Sequence, residues 1–468
     1  MSAKLSKNLD VNVARMNSIL GPERNFDIIQ KGITVAGKEA CIYYINGFLN
    51  TSVMEKLLEF LYEMKPEDFP YTAKQMAEHV IPYVDAKVME EENLILKSVL
   101  SGITCLFVDG YEACIGLDCR NYPARSVDEP SKDKALRGSK DGFVETLVFN
   151  TALIRRRIRS PKLIMEILSA GKTSQTDIVL CYMEERVDYQ LLREIRGRIH
   201  AISVDALTMN QESLAECIYD RKWFNPFPKF KFTERPDAAA AAVLEGNIVI
   251  LVDNSPQAMI VPTSIFDIIE EADEYYFPPI TGSYLRLSRF LISLITLFLT
   301  PTFLLLFQNP QWVPEWLAFI QIKDPINVPV LWQFLILELA IDGLRLAAIN
   351  TPSMLSTPLS VVAGIVLGQF TVDSGWFNSE IMMYMAFVAI SNYTQSSYEL
   401  SYALKFMRLI TLVLTSLLDI WGYLLGMGFT AFAIITNKTI AGKSYIYPLF
   451  PLNLHQIKKR FLRLRLKE

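Results

Sequence analysis

The first 285 residues alternate short apolar runs with polar turns, which is the pattern of a mixed α/β fold. The segment EACIYYINGFLN (39–50) predicts a strand followed by a turn, and TDIVLCYME (176–184) predicts another strand before a helix. Residues 103–118 predict a β-hairpin with Asp109-Gly110 at its turn, and residues 246–262 repeat that shape with Asp253-Asn254. This internal similarity indicates two related α/β subdomains.

A Pro-rich loop, NPFPKFKFTERP (225–236), predicts a boundary inside this region. The helix that follows has Asp237 as its expected N-cap and Gly246 as its expected stop. The expected organisation is an N-terminal segment (1–35), an α/β subdomain (36–225), a smaller subdomain with a linker (226–285), a helical membrane domain (286–440) and a basic tail (441–468).

The last third of the chain carries long apolar runs that predict membrane-spanning helices. Phe290 to Phe307 is 18 residues without a charge, or ~27 Å of helix against a hydrocarbon core of ~30 Å. Four more apolar segments follow, at 326–350, 346–372, 381–398 and 409–437. They predict four to six crossings, one of which is re-entrant or split if the total is even, with 326–350 as the first suspect.

Charge separates the two halves and predicts their orientation. The first 285 residues have a net charge of −9 and the rest a net charge of +5, so neither half has the strong positive charge that nucleic-acid binding requires. The N-terminus lacks the apolar core of a secretory signal. Arg286 and Arg289 flank the first span, and the tail is basic, so both ends of the membrane domain are expected on the cytoplasmic side.

Candidate catalytic and metal-binding chemistry is sparse. The six cysteines form no CxxC pair and the chain has three histidines, which predicts free thiols, no zinc site and no cofactor. The segment SAGKTSQTD (169–177) resembles a phosphate loop, but Glu166 stands where that motif needs glycine. Motifs of serine hydrolases and metalloproteases are absent, so we expect a protein that is not an enzyme.

Three charges interrupt the apolar segment 326–350. Glu338, Asp342 and Arg345 are spaced i, i+4 and i+7, so a helix places them within about 60° of one face. Charges facing lipid cost several kcal/mol. Two alternatives therefore remain open. The face is an interfacial helix end at which Asp342 pairs with Arg345, or it lines a subunit interface or a water-filled pathway.

A polar group near the end of another span gives further pore candidates, Ser391, Asn392, Thr394 and Gln395. Neutral oxygens and amides suit partly hydrated ions, although a loop at the membrane surface would have the same composition. Small residues spaced by four predict close helix packing, either within one chain or between subunits. They are Ser360, Gly364, Gly368, Gly422 and Gly426.

An arginine cluster ends one helix of the soluble half, at Arg155, Arg156 and Arg157. It is either an ion-paired or solvated helix end, or a contact for anionic lipid headgroups or for an acidic patch on a neighbouring subunit. Glutamate pairs such as Glu270-Glu271 are expected to be solvated.

Several long motifs resemble the GerA family of spore germination proteins, which includes the A subunits of germinant receptors. They are GFVETLVFNTALIRRRIRSPKL (142–163), GKTSQTDIVLCYMEE (171–185) and ERPDAAAAAVLEGNIVILVDNSP (234–256). The last motif includes Glu234, Arg235 and Asp237, which join the arginines as candidate contacts. The resemblance runs from about residue 35 to the C-terminus.

The resemblance implies a subunit of an oligomeric ion channel in the inner membrane of a bacterial spore. It implies that copies assemble as a ring, with five as the expected number, beside a multi-spanning companion protein and membrane lipid. The channel is expected to release monovalent cations in germination. The segment after Arg345 differs from the residues usual in receptor A subunits at Leu346, Ala347-Ala348 and Asn350. It resembles the stage V sporulation protein AF branch instead. A secondary transporter and a non-conducting regulatory or scaffold subunit remain as alternatives.

Overall fold

The computed structural model describes residues 5–82, 85–122, 138–219, 225–350 and 364–463. The chain divides into two compact units. The first contains Met1–Arg221 and Phe230–Pro262, and the second contains Lys222–Lys229 and Thr263–Glu468. The first unit is α/β and the second is helical, which confirms the predicted fold class.

The first unit begins with helix α1 (Leu9–Leu20) and an antiparallel five-stranded sheet. Its strands are β1 (Ile28–Val35), β2 (Lys38–Ile45), β3 (Ala86–Met89), β4 (Thr104–Val108) and β5 (Cys114–Leu117), in the spatial order β1-β2-β4-β5-β3. Helix α2 (Thr51–Glu63), short turns at Pro66–Asp68, Ala73–Gln75 and Met76–Val80, and helix α3 (Glu92–Leu100) complete it. The predicted hairpin is confirmed, since β4 and β5 pair antiparallel around Gly110, whose φ is +91°.

A second five-stranded antiparallel sheet repeats this arrangement. Its strands are β6 (Leu163–Ala170), β7 (Thr176–Met183), β8 (Lys231–Thr233), β9 (Ile248–Val252) and β10 (Ala258–Val261), in the order β6-β7-β9-β10-β8. Its helices are α4 (Leu147–Arg157), α5 (Tyr189–His200), α6 (Gln211–Ile218) and α7 (Pro236–Leu244). Because both sheets connect their strands in the same order, the prediction of two related subdomains is confirmed.

The boundary between the subdomains differs from the one expected at 225–236. Strand β8 lies inside that segment and pairs with β10, while β7, earlier in the chain, pairs with β9 in the same sheet. Residues 230–236 therefore belong to the second subdomain, whereas residues 225–229 belong to the helical unit, and β1 begins before residue 36. The reason is that strand order depends on pairing between residues far apart in the chain, which a composition change does not report.

The N-cap of α7 lies two residues before the expected one, Asp237. Pro236 occupies the first helical position and Arg235 is the N-cap, as the fixed φ of proline favours. Asp237 lies in the first turn and accepts hydrogen bonds from Arg235. Gly246 follows the helix with a φ of +99°, so the predicted stop is confirmed.

The second unit is built from helices. They are α8 (Ile265–Ile269), α9 (Asp273–Tyr276), α10 (Pro279–Gln308), α11 (Val330–Asn350), α12 (Ser379–Tyr393), α13 (Tyr398–Ile435) and α14 (Leu454–Phe461), with short turns at Pro310–Trp312, Glu315–Ile320, Ile365–Phe370 and Thr371–Asp373. Among the described residues, α10 and α13 are the helices long and apolar enough to cross a membrane by length and composition.

Helix α13 reverses direction at Asp419, where φ is +53° and ψ is −131°. We call Tyr398–Leu418 its first arm and Ile420–Ile435 its second arm. A Cβ on Gly422 would clash with the backbone carbonyl of Leu414, and a Cβ on Gly426 would lie 2.7 Å from Thr411 Cα. The two arms therefore pack against each other without side chains between them at these glycines.

Contacts along α10 define the direction of every other long helix. We call the end at which α10 begins the near end, and the other the far end. Helix α11 runs from far to near, because Phe334 packs on Phe303 and Glu338 reaches Thr296 through Arg408. Helix α12 also runs from far to near, because Tyr384 contacts Phe303 and Gln395, just after the helix, contacts Ser293. The first arm runs from near to far, because it ends before Asp419, which contacts Asn309. The second arm runs back from far to near, because Tyr423 contacts Thr302.

Candidate functional site: charged clusters in the helical unit

A network of charged side chains joins α11 to the first arm of α13. Arg408 Nε and Nη2 donate to Glu338 Oε1 at 3.0 and 2.5 Å, and Arg408 Nη1 donates to the carbonyl of Thr296 at 3.1 Å. Lys405 Nζ lies 3.3 Å from Glu338 Oε2 and also pairs with Asp342. We call Glu338, Asp342, Lys405 and Arg408 the charged network. Three helices therefore meet at one set of ion pairs.

The charged network is buried, and its pairing offsets the cost of that burial. Arg408 is 0% exposed and Glu338 is 3% exposed, while the side chain of Asp342 is 27% exposed. Removing one partner from such a pair leaves an uncompensated charge in a low-dielectric interior, which costs about 3–5 kcal/mol. The network therefore holds α10, α11 and α13 together.

The partners of the network were not identified from the sequence. Lys405 and Arg408 are spaced i, i+3 and meet Glu338 and Asp342, which are spaced i, i+4. Their signal was a basic pair immediately before the apolar run at 409–437. An acidic pair on one apolar helix and a basic pair on another could have indicated that the two helices face each other.

Arg345 does not form the pair with Asp342 that one of the two alternatives predicted, because Lys405 reaches that carboxylate from the neighbouring helix. The Arg345 guanidinium carbon instead lies 5.4, 5.7 and 5.4 Å from the ring centroids of Tyr393, Tyr398 and Tyr402. These distances are in the range of cation–π contacts.

The polar candidates at the end of α12 lie at the near end of the unit. Gln395 Nε2 donates to Ser293 Oγ of α10 at 2.9 Å, and the hydroxyls of Ser391 and Thr394 donate to carbonyls of their own helix. Asn392 is 5% exposed, and its Oδ1 has no hydrogen-bond partner among the residues that the structure describes. Ser391 and Asn392 are thus buried on α12, whereas Thr394 and Gln395 are half-buried in the connection between α12 and α13.

The glycine candidates fall into two sets. Gly422 and Gly426 permit the close approach of the two arms of α13, so they act within the chain. A Cβ on Gly364 or Gly368 would meet no atom within 4 Å in the described parts of the chain. Ser360 lies outside the described residues.

A second charged cluster ties the C-terminal helix to the start of α10. Arg286 donates to Glu274 Oε2 and Glu270 Oε1, both at 2.7 Å, and Arg289 donates to Glu271 Oε2 at 2.6 Å. Arg460 of α14 binds Glu270 and Asp267, and the Phe461 ring packs 4.9 Å from Phe290. We call this set the near-end clamp.

The near-end clamp corrects two expectations. Glu270 is buried and the Glu271 side chain is 35% exposed, but both are ion-paired, because three arginines pair with this acidic segment. Arg286 is 2% exposed, so it is neutralised within the chain and is not a free positive flank of the first span. Burial raises the pKa of Glu274, the innermost carboxylate, against the lowering effect of Arg286.

The arginines at the end of α4 in the first unit are largely satisfied within the chain. Arg155 is 0% exposed and donates to both oxygens of Asp27 at 2.7 and 2.9 Å, so it is a structural ion pair and not a contact for a neighbour. Arg157 pairs with Asp141. Arg156 is exposed and stacks 4.7 Å from the Tyr122 ring centroid. The sequence did not distinguish these three neighbours, because their burial depends on which strand packs beside α4.

The charged residues of the 234–237 motif are also bound locally. Arg235 is buried and donates to Asp237 Oδ2 at 2.7 Å and to the Ser139 carbonyl at 3.1 Å, while Glu234 Oε1 accepts from Gln257 at 3.2 Å. Among the described residues, no group of three or more His, Cys, Asp or Glu side chains could hold a metal ion.

The fold and these clusters define a membrane-associated protein with a duplicated α/β unit and a helical unit that buries ion pairs. Residues 14–468 match the Bacillus/Clostridium GerA spore germination protein family, and the chain belongs to that family. It is 35% identical over 436 residues to stage V sporulation protein AF of Bacillus subtilis (strain 168), covering 93% of this chain and 88% of that protein. This bears out the resemblance drawn from the motifs.

Two further proteins are similar. Spore germination protein A1 of Bacillus subtilis (strain 168) is 28% identical over 448 residues, covering 95% of this chain and 92% of the relative. The crystal structure of the N-terminal domain of the A subunit of the Bacillus megaterium spore germinant receptor GerK3 matches with a TM-score of 0.44 and 25% identity, over 56% of this chain and 97% of that one.

Proposed function

We propose that this protein is a subunit of an oligomeric ion channel in the spore inner membrane, and that it releases monovalent cations during germination. Membership of the germination family supports the process. The observation that carries the channel proposal is the charged network inside an apolar helical unit. Ionisable residues at such depth are costly, and they commonly mark ion pathways.

The pathway is proposed to form between copies and not through one chain. Glu338, Lys405 and Arg408 are paired with one another, so they brace the interior of one helical unit. Asp342 is partly exposed at the edge of the network, and Asn392 Oδ1 remains without a partner in the described residues. Copies arranged as a ring, with five as the expected number, would place such polar groups around a common axis.

Helix directions support a multi-pass arrangement. Helices α11 and α12 both run from the far to the near end. With α10 and the two arms of α13, the described helices provide five passes, which is within the four to six expected. The N-terminal unit precedes α10 and the basic tail follows the clamp at the near end, which we propose to be cytoplasmic.

Single-channel recording of the purified protein in planar bilayers tests the proposal. We expect discrete conductance steps selective for monovalent cations, and a changed amplitude in Asn392→Ala. The matched control is Asn247→Ala in the soluble unit, which should leave the amplitude unchanged. Absence of steps from correctly folded protein would contradict the channel proposal.

The second candidate function is a non-conducting regulatory or scaffold subunit, beside a multi-spanning companion protein. The pairing of Glu338 with Lys405 and Arg408 within one chain favours it, because paired charges stabilise a structure without requiring water. The mass of the detergent-extracted complex helps to separate the two. A monomer without conductance would favour the scaffold, and saturable flux without discrete steps would indicate a secondary transporter.

A further inference from the structure

Arg345 has hydrogen-bonding capacity that the described chain does not use. Its Nε and Nη2 atoms are buried and have no acceptor among the described residues. Its side chain is enclosed by the rings of Tyr393, Tyr398 and Tyr402. Ring faces attract the cation, but they do not replace the directed acceptors that a buried guanidinium otherwise gains.

Charge counting around Arg345 leads to the same conclusion. Next to it, Glu338 and Asp342 are balanced by Lys405 and Arg408. Arg345 therefore adds one positive charge for which the network supplies no carboxylate. An anion from outside this chain would satisfy both the charge and the two donors.

The depth of Arg345 indicates which anion is available. Two of the tyrosines that enclose it, Tyr393 and Tyr398, lie on either side of Gln395 in the sequence. Gln395 donates a hydrogen bond to Ser293, and Ser293 lies three residues after Phe290, where the uncharged run of α10 begins. This places the guanidinium close to the level at which hydrocarbon gives way to headgroups. Tyrosine is enriched at that level in membrane proteins.

A second copy of the chain is a poor source of the anion. The acidic residues near this end already have partners: those of the near-end clamp bind arginines, and Glu338 and Asp342 bind α13. Asp273 and Glu399 also have partners of their own. Near this end, the helical unit of a neighbouring copy therefore offers no described carboxylate that could pair with Arg345 without losing another pair.

We propose that Arg345 and its three tyrosines form a phosphate-binding site, independent of whether the protein conducts ions. The Nε and Nη2 edge of the guanidinium donates two parallel hydrogen bonds to two phosphate oxygens, as arginine forks do. Tyr393 and Tyr398 are 64% and 53% exposed, so rotation of these rings uncovers the edge. The phosphate belongs to a membrane phospholipid or to free phosphate, and the test separates the two.

The test uses the full-length protein in a phosphate-free maltoside detergent. Short-chain phosphatidylglycerol, diacylglycerol of the same chain length and inorganic phosphate are added separately, and binding is followed by the thermal unfolding midpoint and native mass spectrometry. We expect phosphatidylglycerol to bind and diacylglycerol not to bind. Arg345→Gln should weaken binding by about tenfold or more. Lys458→Gln, an exposed basic residue of α14, should retain it.

Further outcomes assign the source or end the proposal. Binding of inorganic phosphate at millimolar concentration that Arg345→Gln abolishes would identify free phosphate, and binding of the lipid alone would identify a headgroup. If Arg345→Gln does not fold, Arg345→Lys keeps the charge, loses the fork and should bind about tenfold more weakly. The proposal is overturned if Arg345→Gln, Arg345→Lys and the wild type bind phosphate equally. It is also overturned by a cross-link from position 345 to an acidic residue of another protein.

Discussion

At the residue scale, neighbouring charges in one short segment have different structural roles. Arg155, Arg156 and Arg157 follow one another, yet the first is enclosed with Asp27, the second is exposed on Tyr122 and the third is paired with Asp141. A helix turns 100° per residue, so three successive side chains necessarily face different surroundings. The pairing of Arg155 with Asp27 also connects α4 to the residue that precedes β1.

Removing Arg155 should therefore be severe. Arg155→Ala leaves the Asp27 carboxylate buried without its partner, and we expect a loss of about 3–5 kcal/mol in the stability of the first unit. Native-state hydrogen exchange of the full-length protein measures this as faster exchange in β1 and β6. Arg156→Ala is the matched control, with an expected change within about 0.5 kcal/mol. Similar exchange in both variants would show that the Asp27 pair is not structural.

At the element scale, two devices hold the helices of the second unit together. The charged network joins α10, α11 and α13 through side chains. Glycines at positions 422 and 426 bring the two arms of α13 together through their backbones. In lipid, close backbone packing and interhelical polar contacts replace the hydrophobic effect as the source of helix association.

The charged network predicts a strong coupling between Glu338 and Arg408. Glu338→Ala alone strands a buried guanidinium and should lower the unfolding free energy by about 3–5 kcal/mol, whereas the double variant with Arg408→Leu should recover a large part of the loss. Unfolding of the detergent-solubilised protein measures the cycle. Glu315→Ala, an exposed acidic residue, serves as the control. Additive effects of the two substitutions would refute the pairing.

The reversal of α13 predicts a sharp difference between two glycines six positions apart. Gly422→Ala places a methyl group against the Leu414 carbonyl and should prevent the arms from packing. Gly428→Ala meets nothing within 4 Å in the described chain, and it should be neutral or slightly stabilising because alanine favours a helix. Yield and thermal midpoint after extraction compare them. Equal tolerance of both would mean that the arms are not in contact.

At the scale of the whole molecule, the two units are stabilised in different ways. The first uses the same strand order twice, so each sheet buries its faces under its own helices. The second gathers charges at two levels of an apolar unit, the charged network and the near-end clamp. The clamp binds the C-terminal helix to the beginning of α10, which keeps both ends of the helical unit at the near end.

One exposed cysteine offers a test of orientation. All six cysteines are free, and Cys217 is exposed while the other five are buried. Partial burial and the adjacent Glu216 raise the pKa of the Cys217 thiol, so labelling with a membrane-impermeant thiol reagent is best done above neutral pH. We expect reaction in inverted vesicles and none in right-side-out vesicles. Cys217→Ser should remove the signal, and labelling from the outside would contradict a cytoplasmic first unit.

The sequence by itself determined the fold class, the hairpins, the duplication and the family, because these depend on local periodicity and on contiguous motifs. Gly110 and Gly246 are examples: each lies just after the end of a strand or helix and has a positive φ, which glycine adopts without steric cost.

Only the tertiary structure decided the partners of the charges. Glu338 and Arg408 are 70 residues apart, and Asp27 and Arg155 are 128 apart. The sequence placed Glu338 on a face but could not show what covers that face, because an ion pair between distant residues depends on how whole elements pack. The sequence did not reveal the turn at Asp419 for the same reason. The packing of the two arms at Gly422 and Gly426 and the hydrogen bond from Asn309 to Asp419 hold this non-glycine residue at positive φ, and both depend on tertiary contacts.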